Sequence, residues 1–212
     1  TMPLTILPDG PLFRLPFGML VTEPTERFAY DRAPYLLRER PLTMDLSAAL
    51  LLEDDPTATT AFPLDIAALG RTRFDAVPTL PRALRSRLDS TGALPPLPGV
   101  EHEIEAVRER FARHETALDD QATEARLRTL QSRAQILHLA SHALIHPSDP
   151  LANLFVLSPD GSSGRPEDGL LFVHELGTNP APIPLVVLSG CRTARGLVRT
   201  GEGPEGLQCA FR

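Results

Sequence analysis

Two side chains in this 212-residue sequence stand at addresses where a chain can do chemistry. In "ILHLASHA" His142 follows by two residues an apolar run that ends at Ala140, and in "LVVLSGCR" Cys191 follows by two residues a run that ends at Ser189. A thiol with its ordinary pKa of about 8.5 is only slightly ionised at neutral pH, and a nearby imidazole lowers that pKa or takes the proton during attack. A Cys–His dyad of this kind forms a thioester with an acyl group, and the same imidazole activates the water that releases it. Gly190, just ahead of the thiol, lets the chain turn sharply, and the backbone N–H groups of Ala143 and Cys191 are candidates to face a developing oxyanion. Taken singly, each residue has a plainer reading, a small buried thiol or a structural histidine. The matched position after two strands is what makes them a pair.

The elements that must position this pair follow from the apolar pattern. Parallel neighbours lie about 4.8 Å apart, and open parallel sheets bind ligands beyond the carboxyl ends of their strands. Leu185 to Ser189 reads as one such strand and Ile136 to Ala140 as the other. Between and before them strands alternate with helices. Glu115 to Leu118 reads as a strand, and Val100, Ile104, Val107 and Phe111 recur at helical spacing. A further helix opens after Thr123, whose hydroxyl can cap it, with Glu124 favourable in its first turn. "NLFVLSPDG" and "GLLFVHELG" supply another extended piece and a short helix. Toward the N-terminus, Leu4 to Leu7 and Leu42 to Asp45 read as strands, the first closed by a turn at Pro8 to Gly10, the second followed by a helix opening near Ser47. Residues 54–98, rich in Pro, Thr, Asp and Arg, are the least regular, with one strand candidate at Phe62 to Leu69. The alternation predicts a single α/β domain over residues 1–212 with a mainly parallel sheet.

Other chemistries fit less well. His138, His142 and His146 are spaced four apart, as on a metal-binding helix face, but "ILHLA" reads as strand and no Glu follows His138, so no metal is expected. "TGEGPEG", Thr200 to Gly206, lacks the Lys and Ser/Thr of a phosphate loop, and no other cofactor is expected. The formal net charge of −6 leaves no basic footprint for nucleic acid. No apolar run approaches the ~20 residues of a membrane helix. Two cysteines, Cys191 and Cys209, and an N-terminus without a signal-like segment point to a reducing cytoplasm. All 21 basic residues are Arg, and with 22 Pro this fits a GC-rich coding sequence. The chain opens almost at once on a strand-like run and stops at "GPEGLQCAFR", so it is expected to be a fragment of something longer.

The ordered segments "ILPDGPLFRLPFGML", "LPGVEHEIEAVRERF", "DDQATEARLRTLQSRAQILHLASHA" and "LVVLSGCRTARG…GEGPEGLQCAF" together resemble the CHAT domain, a bacterial relative of caspases and separase, over nearly the whole chain. The resemblance implies a caspase-like three-layer sandwich, truncated here at its C-terminus, and a cysteine endopeptidase acting on protein substrates. It implies His142 as base and acid and Cys191 as nucleophile, with His138, Ser141 and Gly190 supporting them. The family is often joined to tetratricopeptide repeats that gate it or present substrate. Ala143 and Ala194 stand where the family usually has glycine, which narrows the site. The competing expectation is a catalytically silent interaction module or an inert fragment of such a protein. Related peptidases cut after basic or acidic residues according to the charge of their pocket, and Glu202 and Glu205 are the nearest acidic candidates to line it.

Overall fold

The computed structural model describes residues 2–8, 10–24, 30–44, 61–75, 80–160, 168–176, 183–190, 197–199 and 203–205. The chain forms two compact units, Thr1–Thr59 with Val198–Pro204, and Thr60–Leu197 with Glu205–Arg212. In the first, β1 (Leu4–Ile6) pairs in parallel with β2 (Leu42–Met44), Leu4 opposite Leu42. The apolar stretch Leu12 to Leu20 folds into two 3-10 turns, Gly10–Arg14 and Phe17–Met19, ahead of a short helix, α1 (Leu36–Glu39). The helix expected near Ser47 lies outside the described residues.

The second unit is built on β3 (Leu64–Gly70), α2 (Gly99–Arg110), β4 (His114–Leu118), α3 (Glu124–Gln131), β5 (Ala134–Ala140), β6 (Ala143–Leu144), β7 (Leu154–Val156), β8 (Leu170–Phe172), α4 (Val173–Leu176) and β9 (Leu185–Ser189). Further along, Leu197–Arg199 (β10) and Gly203–Glu205 (β11) pair with each other. The central sheet has the order β4-β3-β5-β9 with every neighbouring pair parallel. It is the mainly parallel sheet expected of a caspase-like α/β sandwich. The strand candidate in the Pro-rich stretch is β3, and it lies between β4 and β5.

Both faces of this sheet are covered, which explains why β3 and β5 are nearly continuous apolar runs. Ala67, Leu69, Leu137 and Leu139 face one side, where Leu127 and Leu130 of α3 pack with Phe155 and Leu171. Ile66, Ala68, Ile136 and Ala140 face the other, where Val100, Ile104 and Val107 of α2 meet them. The side-chain alternation of a strand thus divides one run between two helical layers. Helix α2 was legible from that periodicity, and α3 from its cap: the Thr123 hydroxyl accepts a hydrogen bond from Arg126 N at 3.2 Å. At the sheet edges the chain is less apolar or less covered. β4 carries His114 and Glu115, whereas Leu185 and Val187 of β9 are 50% and 38% exposed.

Helix α2 comes closest to the sheet at Gly70, the last residue of β3. A Cβ there would lie 2.6 Å from Val100 Cγ1 and 2.9 Å from Ile104 Cγ1. Both neighbours branch at Cβ and have little rotamer freedom in a helix. Gly70→Ala is therefore expected to overpack this contact and cost about 1–3 kcal/mol, read as a lower urea midpoint at unchanged slope. An unchanged midpoint would show that α2 can slide at no cost.

After β5 the chain turns through Ser141 and His142 into a separate antiparallel sheet, β6-β7-β8, with Ala143 opposite Phe155 and Leu154 opposite Phe172. A second apolar cluster, Phe74, Leu80, Leu84, Leu94, Leu144, Leu154, Val156 and Leu170, lies under the connection from β3 to α2. The described part of this connection holds a 3-10 turn, Arg82–Arg87, and has a core of its own.

Candidate functional site

The register of β5 and β9 pairs Ile136 with Leu185 and Ala140 with Ser189. The two strands that precede His142 and Cys191 are direct neighbours, running the same way and ending level. Pairing continues one step further, since Ser141 N donates to Ser189 O at 3.1 Å. Cys191, Ala194, Glu202 and Cys209 lie outside the described residues, and of Glu205 only the backbone is described. The described chain reaches Gly190, one residue short of the thiol.

His142 is held from both sides of its backbone. Ser141, buried, donates its hydroxyl to Val156 O, and Val156 N donates to His142 O at 3.0 Å. The imidazole is fixed as well. Its Nε2 lies 2.7 Å from Pro95 O, and because a carbonyl can only accept, Nε2 carries the proton. In the neutral ring Nδ1 is then the basic nitrogen. The edge of Phe74 meets the ring at a centroid distance of 4.6 Å and an interplanar angle of 62°. Phe74 is in turn covered by the Arg71 guanidinium, 4.9 Å from its centroid. Burial lowers the Arg71 pKa, opposed by Asp119, Asp120 and Asp75. Burial pushes the Asp119 carboxyl up, but hydrogen bonds from Thr72 N, at 2.7 Å, and from its hydroxyl, with Arg73 nearby, leave it below the usual carboxylate range. The connection after β3 is thereby pinned to the sheet end, and both Phe74 and Pro95 belong to it.

Ala143 follows on the register of the small sheet. Antiparallel residues alternate between hydrogen-bonded and non-hydrogen-bonded pairs. Since His142 and Val156 form a bonded pair, Ala143 and Phe155 form the next, non-bonded one. The Ala143 N–H therefore points away from β7.

A groove of about 430 Å³ opens beside this corner, lined by Pro96, Leu97, Pro98, Gly99, Val100, Glu103, Ser141, His142, Ser189 and Gly190. His142 and Gly190 thus share one cavity wall system, with the first turn of α2 across from them. His138, 8% exposed, sits one pleat back on β5, its Nε2 at 2.9 Å from Glu103 Oε1. His146 is used elsewhere: its Nδ1 faces Asp149 N at 3.0 Å. Among the described residues no three His, Cys, Asp or Glu side chains come together as metal ligands would, and no helix is long and apolar enough to cross a membrane.

Three participants escaped the sequence reading. Pro95 contributes a main-chain oxygen 47 residues from His142, which no side-chain pattern reveals. Phe74 lies in a stretch without periodicity. Glu103 carries no pattern of its own in the sequence, although its place three residues after Val100 sets it near the buried stripe.

Compared with known protein families, residues 1–212, the whole chain, match the model of the CHAT domain. No curated protein matches the chain.

Proposed function

The chain belongs to the CHAT domain family, related to cysteine peptidases, and on that premise we propose that it is a cysteine endopeptidase domain in which Cys191 is the nucleophile and His142 manages the protons. The thiol proton passes to His142 as Sγ attacks the peptide carbonyl carbon. The oxyanion of the tetrahedral intermediate is stabilised by the N–H groups of Ala143 and Cys191. The C–N bond breaks as the imidazolium protonates the leaving amine, which leaves a thioester on Cys191. Water then gives a proton to the same imidazole and attacks the thioester, and the thiol is restored. His138, Ser141 and Gly190 support these groups.

The observation that carries this reading is the anchoring of His142 Nε2 on Pro95 O in a groove that also contains Gly190. The bond from Nε2 to Pro95 O leaves Nδ1 as the basic nitrogen of a ring that lines this groove. The level ends of β5 and β9 support the same pairing, and the outward Ala143 N–H suits an oxyanion donor. The substrate is a protein, and tetratricopeptide repeats of the same or a partner protein regulate access to it in the cytoplasm.

The test is labelling of the full-length protein with a peptidyl acyloxymethyl ketone. A stable adduct at Cys191, absent in His142→Ala, is expected. Labelling confined to Cys209, or labelling of Cys191 that is indifferent to His142, would mark the domain as a silent interaction module.

A further inference from the structure

We infer that Glu103 is a positioning residue for this site, a clamp from α2 that sets the end of the strand carrying the nucleophile. The inference rests on the peptidase reading. Glu103 reaches two strands at once: Oε1 lies 2.9 Å from His138 Nε2 on β5, and Oε2 accepts a hydrogen bond from Ser189 Oγ at 3.0 Å on β9. The first contact lies off the ring N–H direction, so it is a charge contact when the imidazole is protonated rather than a well-aimed hydrogen bond. The second is a charge-assisted bond to the last residue of β9. Glu103 also lines the groove together with His142, Ser189 and Gly190.

The location gives the contact its consequence. Ser189 is two residues before Cys191, and in the parallel ladder it stands opposite Ala140, two before His142. The edge strand β9 has β5 as its described neighbour in the sheet, and its Leu185 and Val187 are exposed. Val186 and Leu188 pack against the core on the opposite face, so packing holds β9 from one side only and leaves its α2 face open. A side-chain bond at its last residue restrains the point at which the chain turns toward the thiol. Misplacement of a reacting group by about 1 Å can cost on the order of 10²-fold in rate, so a restraint two residues away matters more for turnover than for folding. Glu103 is itself held by a well-packed helix, between Val100 and Ile104.

The experiment uses the full-length protein in a Cys209→Ala background. Glu103→Met keeps length and packing but removes both contacts. Glu103→Gln keeps an oxygen for Ser189 and an N–H for a neutral His138. For Glu103→Met a kcat decrease of about 10–100-fold is expected, with KM within about threefold and the urea midpoint close to that of the parent. Glu103→Gln should restore most of kcat. Ser189→Ala should lower kcat in the same way, and Glu103→Met with Ser189→Ala should be no worse than Glu103→Met alone, since the two share one interaction. Alkylation of Cys191 by a small neutral electrophile, which needs no substrate recognition, should slow in Glu103→Met and recover in Glu103→Gln. Unchanged kcat and alkylation in Glu103→Met, or equal losses in the Gln and Met variants, would overturn the clamp. If the parent cleaves nothing and Cys191 alkylates no faster than a free thiol, the peptidase reading fails and the clamp fails with it.

Discussion

Cys191→Ala and His142→Ala should each lower peptide-bond cleavage by about 10³-fold or more, and the double variant should be no worse than either. On the proposed mechanism the thiolate supplies the covalent step and the imidazole carries its proton, so removing one leaves the other without a task. Cys209→Ala, placed after the glycine loop in sequence, should keep full turnover, and a chelator should change nothing. The assay compares cleavage of one protein substrate by the wild type and the four variants, with and without chelator. Turnover retained in Cys191→Ala, or lost only on chelation, would overturn the dyad. The anchor on Pro95 adds a finer expectation. His142→Ala removes a ring whose Nε2 is already committed to a carbonyl, so added imidazole should rescue poorly, because a free ring lacks that orientation.

Phe155→Ala is expected to be the most damaging single change to stability. The ring is 1% exposed on β7 and packs with Leu137, Leu139 and Leu157, joining the small antiparallel sheet to the α3 face of the central one. Its removal deletes the contacts of a whole ring and leaves a cavity that β6 cannot fill from the short side chain of Ala143. Such truncations cost about 3–5 kcal/mol, and for a domain of this size that lowers Tm by on the order of 10 °C. Met19→Ala, at a site 66% exposed, is the control and should shift stability by less than about 0.5 kcal/mol. A loss under about 1 kcal/mol for Phe155→Ala would mean that the two sheets are joined by something other than this contact.

What could be seen in the sequence was what side chains write in a regular period. Leu185–Ser189 appeared with its observed bounds, and β5 was read from Ile136 where it begins at Ala134. A strand buried on both faces announces itself by an unbroken apolar run. β6, β7 and β8, of two or three residues each, are too short for alternation to show. The place of β3 between β4 and β5 was hidden by its Pro-rich surroundings, since local composition says nothing about partners. At the site, the types and spacing of His142 and Cys191 pointed to a dyad, and the register sets Ala140 and Ser189, which precede them, side by side. The fixing of His142 by Pro95 was illegible because a carbonyl oxygen is common to every residue. The role of Glu103 depended on which face of α2 meets β9, which follows only from the fold.

The strand order also governs when this corner comes into being. β5 must pair with β3 across the whole of α2, β4 and α3, and then with β9 across the small antiparallel sheet and α4. Closing such long loops is entropically costly and slow compared with forming helices or hairpins. On a ribosome, where the chain emerges from its N-terminus, the histidine corner can be complete while β9 is still unmade. The nascent domain therefore passes through a stage with a base and no strand to hold a thiol beside it. On the proposed reading, docking of β9 acts as a safety catch, because Cys191 is brought to the histidine corner only once that strand has paired with β5.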